Sequence, residues 1–228
     1  MKRITIIVII VFMNTAAYAQ DDTTWRFGLK VSPNISWINP EIREIEYDET
    51  SWGYSYGIMA DRYFAENYAI SSGLFVSHHG GQLNFLEDDV HVIEVDEEEV
   101  KGLEKRLYDL QYIDVPLTIK MRTREIGYFT YYGQFGVSFG FNVRARADDE
   151  YFDNTTDNNL EIADETHLFK ASLIMGAGAE YSLLGNTAIV IGLYYNNGFS
   201  NIMDMGAYKH KKISGRANFV ELTVGMLF

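Results

Sequence analysis

Taken alone, the sequence predicts an all-β fold, an eight-stranded antiparallel up-and-down transmembrane β-barrel. Three observations carry this expectation. Apolar and polar residues alternate with a period of two almost everywhere after residue 19. The connections between alternating segments are by turns short and long, as in barrels that cross a membrane. The polar phase is mostly small (Gly, Ser, Thr, Ala and Asn), whereas the apolar phase is bulky and aromatic. A water-soluble barrel would put its apolar face inward. Here the small face suits a narrow interior and the bulky face suits lipid.

The first strand covers 25–38. Trp25, Phe27, Leu29, Val31, Pro33, Ile35 and Trp37 share one face, and Arg26, Gly28, Lys30, Ser32, Asn34 and Ser36 the other. Strands at 52–64 and 68–86 follow, then one at 107–122. In that fourth strand the apolar phase runs through Tyr108, Leu110 and Tyr112 and then switches to Ile113, Val115, Leu117, Ile119 and Met121. A phase switch predicts an extra residue, hence a β-bulge, with Pro116 just beyond it. The fifth strand, 127–146, alternates most strongly, with Phe129, Tyr131, Phe135, Val137, Phe139, Phe141 and Val143 on one side. Strands at 167–182, 187–199 and 215–228 complete the set. The last carries Val220, Leu222, Val224, Met226 and Phe228 on one face. Connections at 65–67, 123–126 and 183–186 are short, and those at 39–51, 87–106, 147–166 and 200–214 are long. Aromatics gather at both strand ends: Trp25, Phe27, Phe64, Tyr68, Phe129, Tyr181 and Phe228 at one, Trp37, Trp52, Tyr54, Tyr195 and Phe199 at the other. Two interfacial girdles would produce this placement.

Residues 1–19 have a different character. Lys2 and Arg3 precede the apolar run Ile4–Met13, and Ala17-Tyr18-Ala19 is a small-x-small cleavage signal. This reads as a secretory signal peptide over 1–19, with a barrel domain at 20–228. The formal charge of −13 becomes −15 once Lys2 and Arg3 leave, which argues against nucleic-acid binding. An exported chain without cysteine must be stable without disulfides. Export plus a barrel predicts the outer membrane of a Gram-negative cell, with both termini periplasmic and four long loops outside.

The run Tyr108-Asp109-Leu110-Gln111-Tyr112-Ile113-Asp114-Val115-Pro116-Leu117-Thr118-Ile119-Lys120 resembles the aromatic-x-x-x-Pro-Leu segment of the PorT-like outer-membrane β-barrel family. Gly28-Leu29-Lys30 with Asn34 is similar to that family's first strand, and Gly176-Ala177-Gly178-Ala179-Glu180-Tyr181 to its sixth. Phe228 matches the C-terminal aromatic by which barrel-assembly machinery recognises clients. The first strand departs from the family in carrying Val31-Ser32-Pro33 after the lysine. The resemblance covers 25–228. It implies a non-enzymatic, porin-family outer-membrane barrel, whose namesake is tied to protein secretion and gliding.

The interior face carries charges of both signs: Arg26, Lys30, Asp61, Asp114, Lys120, Lys170, Glu180 and Glu221. Ions in a narrow barrel must pair, so a salt-bridged plug is expected in preference to a pore lining. The long loops are acidic, at Glu87-Asp88-Asp89, Asp96-Glu97-Glu98-Glu99 and Asp148-Asp149-Glu150, with Asp153, Asp157, Glu161, Asp164 and Glu165 further on. They read as a solvated surface, and lack EF-hand spacing for calcium. Lys209, His210, Lys211 and Lys212 form a basic exception. His78, His79, His91, His167 and His210 fall at the long-loop side without metal-site spacing. Ser77 and His79 share a face but are directed alike, so no catalytic triad is expected. The sequence therefore predicts no enzyme, no cofactor and no metal. It predicts a monomer in contact with outer-membrane lipid and lipopolysaccharide, with a structural or interaction role at the cell surface. The alternatives are a narrow channel for small solutes and a component supporting a secretion complex.

Overall fold

The computed structural model describes residues 25–40, 45–47, 49–85, 93–95, 98–100, 103–151, 156–183, 185–203, 207–208, 211–212 and 214–228. The predicted signal segment lies outside the described residues. So do Glu87-Asp88-Asp89, Asp96, Glu97, Asp153, His91, Lys209 and His210.

Eight long strands follow one another: β1 (Trp25–Pro40), β2 (Ser51–Ala65), β3 (Tyr68–Phe85), β4 (Leu103–Arg122), β5 (Phe129–Tyr151), β6 (Phe169–Ser182), β7 (Ala188–Gly198) and β8 (Gly215–Leu227). Each pairs antiparallel with its neighbours in sequence, and β8 pairs with β1, so the sheet has no edge. The short segments Ile45–Tyr47 and Thr156–Glu161 lengthen the ladder beside β3 and β5 at the long-loop end.

Register sets the diameter. Moving from Arg26 across the ladders leads to Asp61, Ser71, Thr118, Gly136, Ile174, Asn196, Phe219 and back onto β1 at Ser36. The return is displaced by ten residues, from position 26 to 36. With about 3.3 Å of rise per residue and strands about 4.8 Å apart, that stagger tilts the strands by about 40°. A barrel of this size holds side chains and little else.

The wall has an apolar exterior. Leu29, Val31, Ile58, Leu74, Leu117, Phe135, Leu173, Ile191, Leu222 and Val224 all stand exposed on it. Aromatic rings flank the band at the short-turn end, where Trp25 stacks on Phe27 (5.8 Å), Phe64 on Tyr68 (6.3 Å) and Phe129 against Tyr181 (5.0 Å). At the long-loop end Trp37 stacks on Tyr195 (6.3 Å) and Tyr54 on Tyr56 (6.3 Å).

The bulge lies at the expected step of the β4–β5 ladder but on the other strand. Gln111 pairs with Arg144 and Tyr112 with Asn142, so the extra residue is Val143 of β5. Strand β4 keeps one unbroken register against β3, and its even-numbered residues face inward throughout. What changes along β4 is the polarity of the interior. Below the bulge the inward residues include Asp114, Thr118 and Lys120; above it they are Leu110 and Tyr108, with the ion-paired Arg106 beyond them. The outside inverts in step, from Phe139, Phe141 and Val143 to Arg144, Arg146, Asp148 and Glu150. Above the belt the solvent is water, so this end obeys the soluble rule, apolar in and polar out.

That inversion also explains two boundary differences. Sequence patterning starts strand four at 107 and ends strand five at 146, whereas the strands run from Leu103 and to Tyr151. Charged residues at 148–150 look like loop, yet alternate residues here face water from a strand that stands clear of the membrane.

Candidate functional site

The lumen is filled in levels. At the short-turn end, Arg26 Nη1 contacts Glu180 Oε2 at 2.6 Å, and Lys120 Nζ lies 2.6 Å from Asp61 Oδ2 and 2.5 Å from Glu180 Oε1. Ser71 donates to Asp61, and Arg26 Nη2 donates to the Asn186 carbonyl at 3.1 Å. At mid-height Lys30 Nζ meets Glu221 Oε1 at 3.0 Å, and Ser55 donates to the other Glu221 oxygen at 3.0 Å. Above them Lys170 Nζ lies 3.2 Å from Asp114 Oδ1, and Ser77 donates to Asp114 Oδ2. The eight charged residues singled out from the sequence thus all reach the lumen and meet as opposite pairs. The lysines also rest on rings: Lys30 on Phe75 (4.3 Å), Lys120 on Tyr132 (4.6 Å) and Lys170 on Tyr112 (4.3 Å).

Neutral groups tie the levels together. Tyr132 and Tyr194 share a hydrogen bond of 2.9 Å, Tyr194 donates to Gln134 at 3.1 Å, and Gln134 donates to Thr118 at 2.5 Å. At mid-height a cavity of about 60 Å³ is bordered by Lys30, Asp61, Asp114, Lys120 and Glu221. That is room for about four waters at roughly 15 Å³ each, and for no larger solute.

A stopper of apolar side chains covers the long-loop end. Ile38, Leu83, Tyr108, Leu110, Tyr112, Ala145, Ala147 and Ala217 come from the wall, and Ile162, Ile202 and Met203 from the connections. The two connections are stitched together by a Thr166–Met203 bridge and by His167 N–H donating to the Ile202 carbonyl at 3.0 Å. Asn201 fastens the second by accepting from Met203 (3.1 Å) and Gly215 (2.8 Å).

A clasp that sequence patterning did not find holds the first connection. Arg106 forks onto both oxygens of Asp149 at 2.6 Å each and reaches Glu165 at 2.6 Å. Burial alone would lower the Arg106 pKa, but the Asp149 hydrogen bonds and the surrounding negative charge hold it above its ordinary value. Burial pushes the neighbouring Tyr108 phenol up to about 12, against the pull of Arg106. The sequence signal was present, since Arg106, Tyr108 and Leu110 continue one face of the strand.

The remaining candidates separate. Ser77 spends its proton on Asp114, and His79 Nε2 instead faces Lys170 Nζ at 3.2 Å, so Ser77 and His79 form no dyad. His78 points outward and stacks on Tyr54 at 4.5 Å. Among the described residues no three His, Asp or Glu side chains converge as a metal site. Phe228 is exposed on the outer wall, its N–H donating to the Phe27 carbonyl at 2.7 Å.

A closed antiparallel barrel with an apolar belt, aromatic girdles and a polar, ion-paired lumen is an outer-membrane barrel in class. The sequence profile of the outer membrane protein beta-barrel domain matches residues 18–204, and the chain belongs to that family. A search of curated proteins returns no match. Among solved structures, the fold is similar to OprG from Pseudomonas aeruginosa (13% identity, 90% of this chain and 97% of that chain, TM-score 0.49). It is also similar to neisserial surface protein A (10%, 88% and 95%, 0.46). A third is Ail, the attachment invasion locus protein of Yersinia pestis, in complex with the heparin analogue sucrose octasulfate (14%, 90% and 99%, 0.40).

Proposed function

We propose that this protein is a closed, non-conducting barrel whose role is structural or interactional at the cell surface. The observation that carries the reading is the double closure of the lumen: charge pairs at three levels and an apolar stopper above them. Residues 1–19 act as the export signal, both termini face the periplasm, and the long connections face outward, where lipopolysaccharide and surface partners lie. Phe228 presents the terminal aromatic to the barrel-assembly machinery. The chain works as a monomer, and its chemistry is not catalytic.

Planar-bilayer recording tests the closure. The barrel is expected to give a flat baseline, and a stable, reproducible conductance step would refute it. Orientation is tested by inserting an epitope tag in the connection at 152–155, between the strands that end at Tyr151 and begin at Thr156. Antibody binding to intact cells is expected, and labelling only after lysis would reverse the assignment.

A second reading, a narrow solute channel, draws support from the polar space of about 60 Å³ at mid-lumen. It requires the stopper to move. The likeness of the Tyr108–Lys120 segment to the PorT-like family adds a third, support of a secretion complex, which co-purification through the long connections would test.

A further inference from the structure

Two nitrogens meet in the upper lumen where only one can carry a charge. His79 on β3 is 2% exposed, and its Nε2 lies 3.2 Å from Lys170 Nζ on β6. An ammonium has donors only, so Nε2 accepts and the ring proton sits on Nδ1. Nδ1 has no hydrogen-bond partner. The neutral ring lies between two others, Tyr112 at 5.1 Å and Phe219 at 5.3 Å.

The charges around the ring are already matched. Asp114 on β4 holds Lys170 at 3.2 Å and accepts from the Ser77 hydroxyl. Glu221, two residues beyond Phe219 on β8, is taken up by Lys30 and Ser55. On β3 itself, His78 points outward against Tyr54. From β1, Asn34 and Ser36 bond the backbone on either side of the ring, at the His78 carbonyl (3.2 Å) and the Gly80 N–H (2.9 Å). Gly53 of β2, Gly140 of β5 and Asn196 of β7 bring no charge to this level. The titratable Tyr112 phenol on β4 is neutral. Among the described residues, no carboxylate is left over here for a second cation.

A proton on His79 would set imidazolium against ammonium at 3.2 Å in a dry site, where like charges repel strongly. In water an imidazole takes a proton near pH 6.5. Acid therefore favours any state in which water reaches the ring. The closed state binds no proton here and the open state binds one. Closure is thus complete above about pH 6.5 and weakens below it, by up to about tenfold per pH unit. Carboxylates in water take protons near pH 4, so the range from 6.5 to 5 belongs to histidine.

His79 stands between the mid-lumen cavity, which Ser77, Asp114 and Phe219 border, and the stopper, to which Tyr112 belongs. Ile162, Ile202 and Met203 are the stopper residues carried on connections. They can lift, whereas the wall residues are held by a ladder on each side. We propose that His79 is an acid-sensing latch, whose protonation in mild acid unseats the connection half of the stopper and admits water to the mid-lumen cavity. The latch rests on the closed barrel argued above and gives that closure a pH limit.

Hydrogen exchange by NMR in the folded barrel, compared as protection factors at pH 7.5 and 5.0, tests the latch. The stopper amides are His167 N–H and Ile202 N–H, which donate to the Ile202 and Gly215 carbonyls at 3.0 Å each. Ser182 N–H, which donates to the Tyr128 carbonyl at 2.8 Å near the short-turn end, is the reference. Stopper protection is expected to fall about thirtyfold from pH 7.5 to 5.0 while the reference holds. His79→Gln keeps an acceptor for Lys170 but no titrating group, and is expected to abolish the fall. No fall in the native chain, or an equal fall in His79→Gln, overturns the latch. The ¹⁵N shifts of the native His79 ring keep the proposal falsifiable even if that variant fails to fold. A proton on Nδ1 alone is expected at pH 5.0, and a doubly protonated ring in the closed barrel overturns the latch. Planar-bilayer recording at pH 7.5 separates the two readings. A conductance step there refutes the closure itself, whereas a flat baseline without acid-dependent exchange refutes the latch alone.

Discussion

Lys120 is the most informative residue to remove. Its ammonium is buried and bonds two carboxylates at once, Asp61 at 2.6 Å and Glu180 at 2.5 Å. Lys120→Met keeps the volume and deletes the charge. Asp61 then retains only the Ser71 hydroxyl, while Glu180 keeps Arg26. Breaking a buried pair from one side costs about 3–5 kcal/mol, because the surviving ion is desolvated without compensation. Since Glu180 stays paired, the low end applies, about 3 kcal/mol, or roughly two orders of magnitude in the folding equilibrium. Adding Asp61→Asn removes the orphaned charge and leaves an amide that still accepts from Ser71. The double variant is therefore expected within about 1 kcal/mol of the native barrel. The assay is urea unfolding in detergent micelles, read by heat-modifiable migration and by the fluorescence of Trp25, Trp37 and Trp52. A single variant as stable as the native chain, or a double variant no better than the single, would refute the argument that these ions persist only as a balanced set.

Three further outcomes are expected. The Tyr108 phenol, pushed up to about 12 by burial above the membrane belt, resists ionising in the folded state. Its contribution is intact below pH 10 and is lost as pH rises from 10 to about 12, at about 1.4 kcal/mol per pH unit, so Tyr108→Phe should flatten the alkaline decline of stability; equal slopes would count against it. Leu222→Arg sets a charge on the lipid-facing wall and should cost about 2–4 kcal/mol in liposomes; a neutral result would mean that this face does not meet lipid. Gly178 and Gly192 face each other, and a Cβ on either would come within 2.5 Å of Tyr132 Oη. Gly192→Val should therefore displace that ring and break its bond to Tyr194, seen as altered near-ultraviolet dichroism with the strand content unchanged.

The strand map and the inward charges were legible because both rest on a period of two, and a closed wall with lipid on one side enforces that period. Arg26 and Trp25 are adjacent in sequence and opposite in fate. The upper end was less legible. Tyr108, Leu110 and Tyr112 looked like a slipped register because the reading assumed one solvent along the whole strand. They are inward residues of a segment that has left the bilayer. Arg106, Asp149 and Glu165 looked like loop charges for the same reason, and their convergence is a long-range fact no local pattern carries. The stopper residues Ile162, Ile202 and Met203 are isolated apolar positions in polar connections, and nothing periodic marks them.

The ten-residue stagger is an even number, and evenness is a requirement of closure. Each seam passes on the in-or-out sense of its side chains, so after one circuit the sense must agree with itself. An odd total would turn part of the circle inside out, sending Lys30 or Glu221 into oil. Such a barrel has a parity, and a single inserted or deleted residue inside a strand changes it. Val143 is already an odd residue that the ladder absorbs, so deleting it should be tolerated where a one-residue deletion elsewhere in the belt is not. Away from that bulge, single-residue steps in length are thereby confined to the connections, while the wall changes in length by twos.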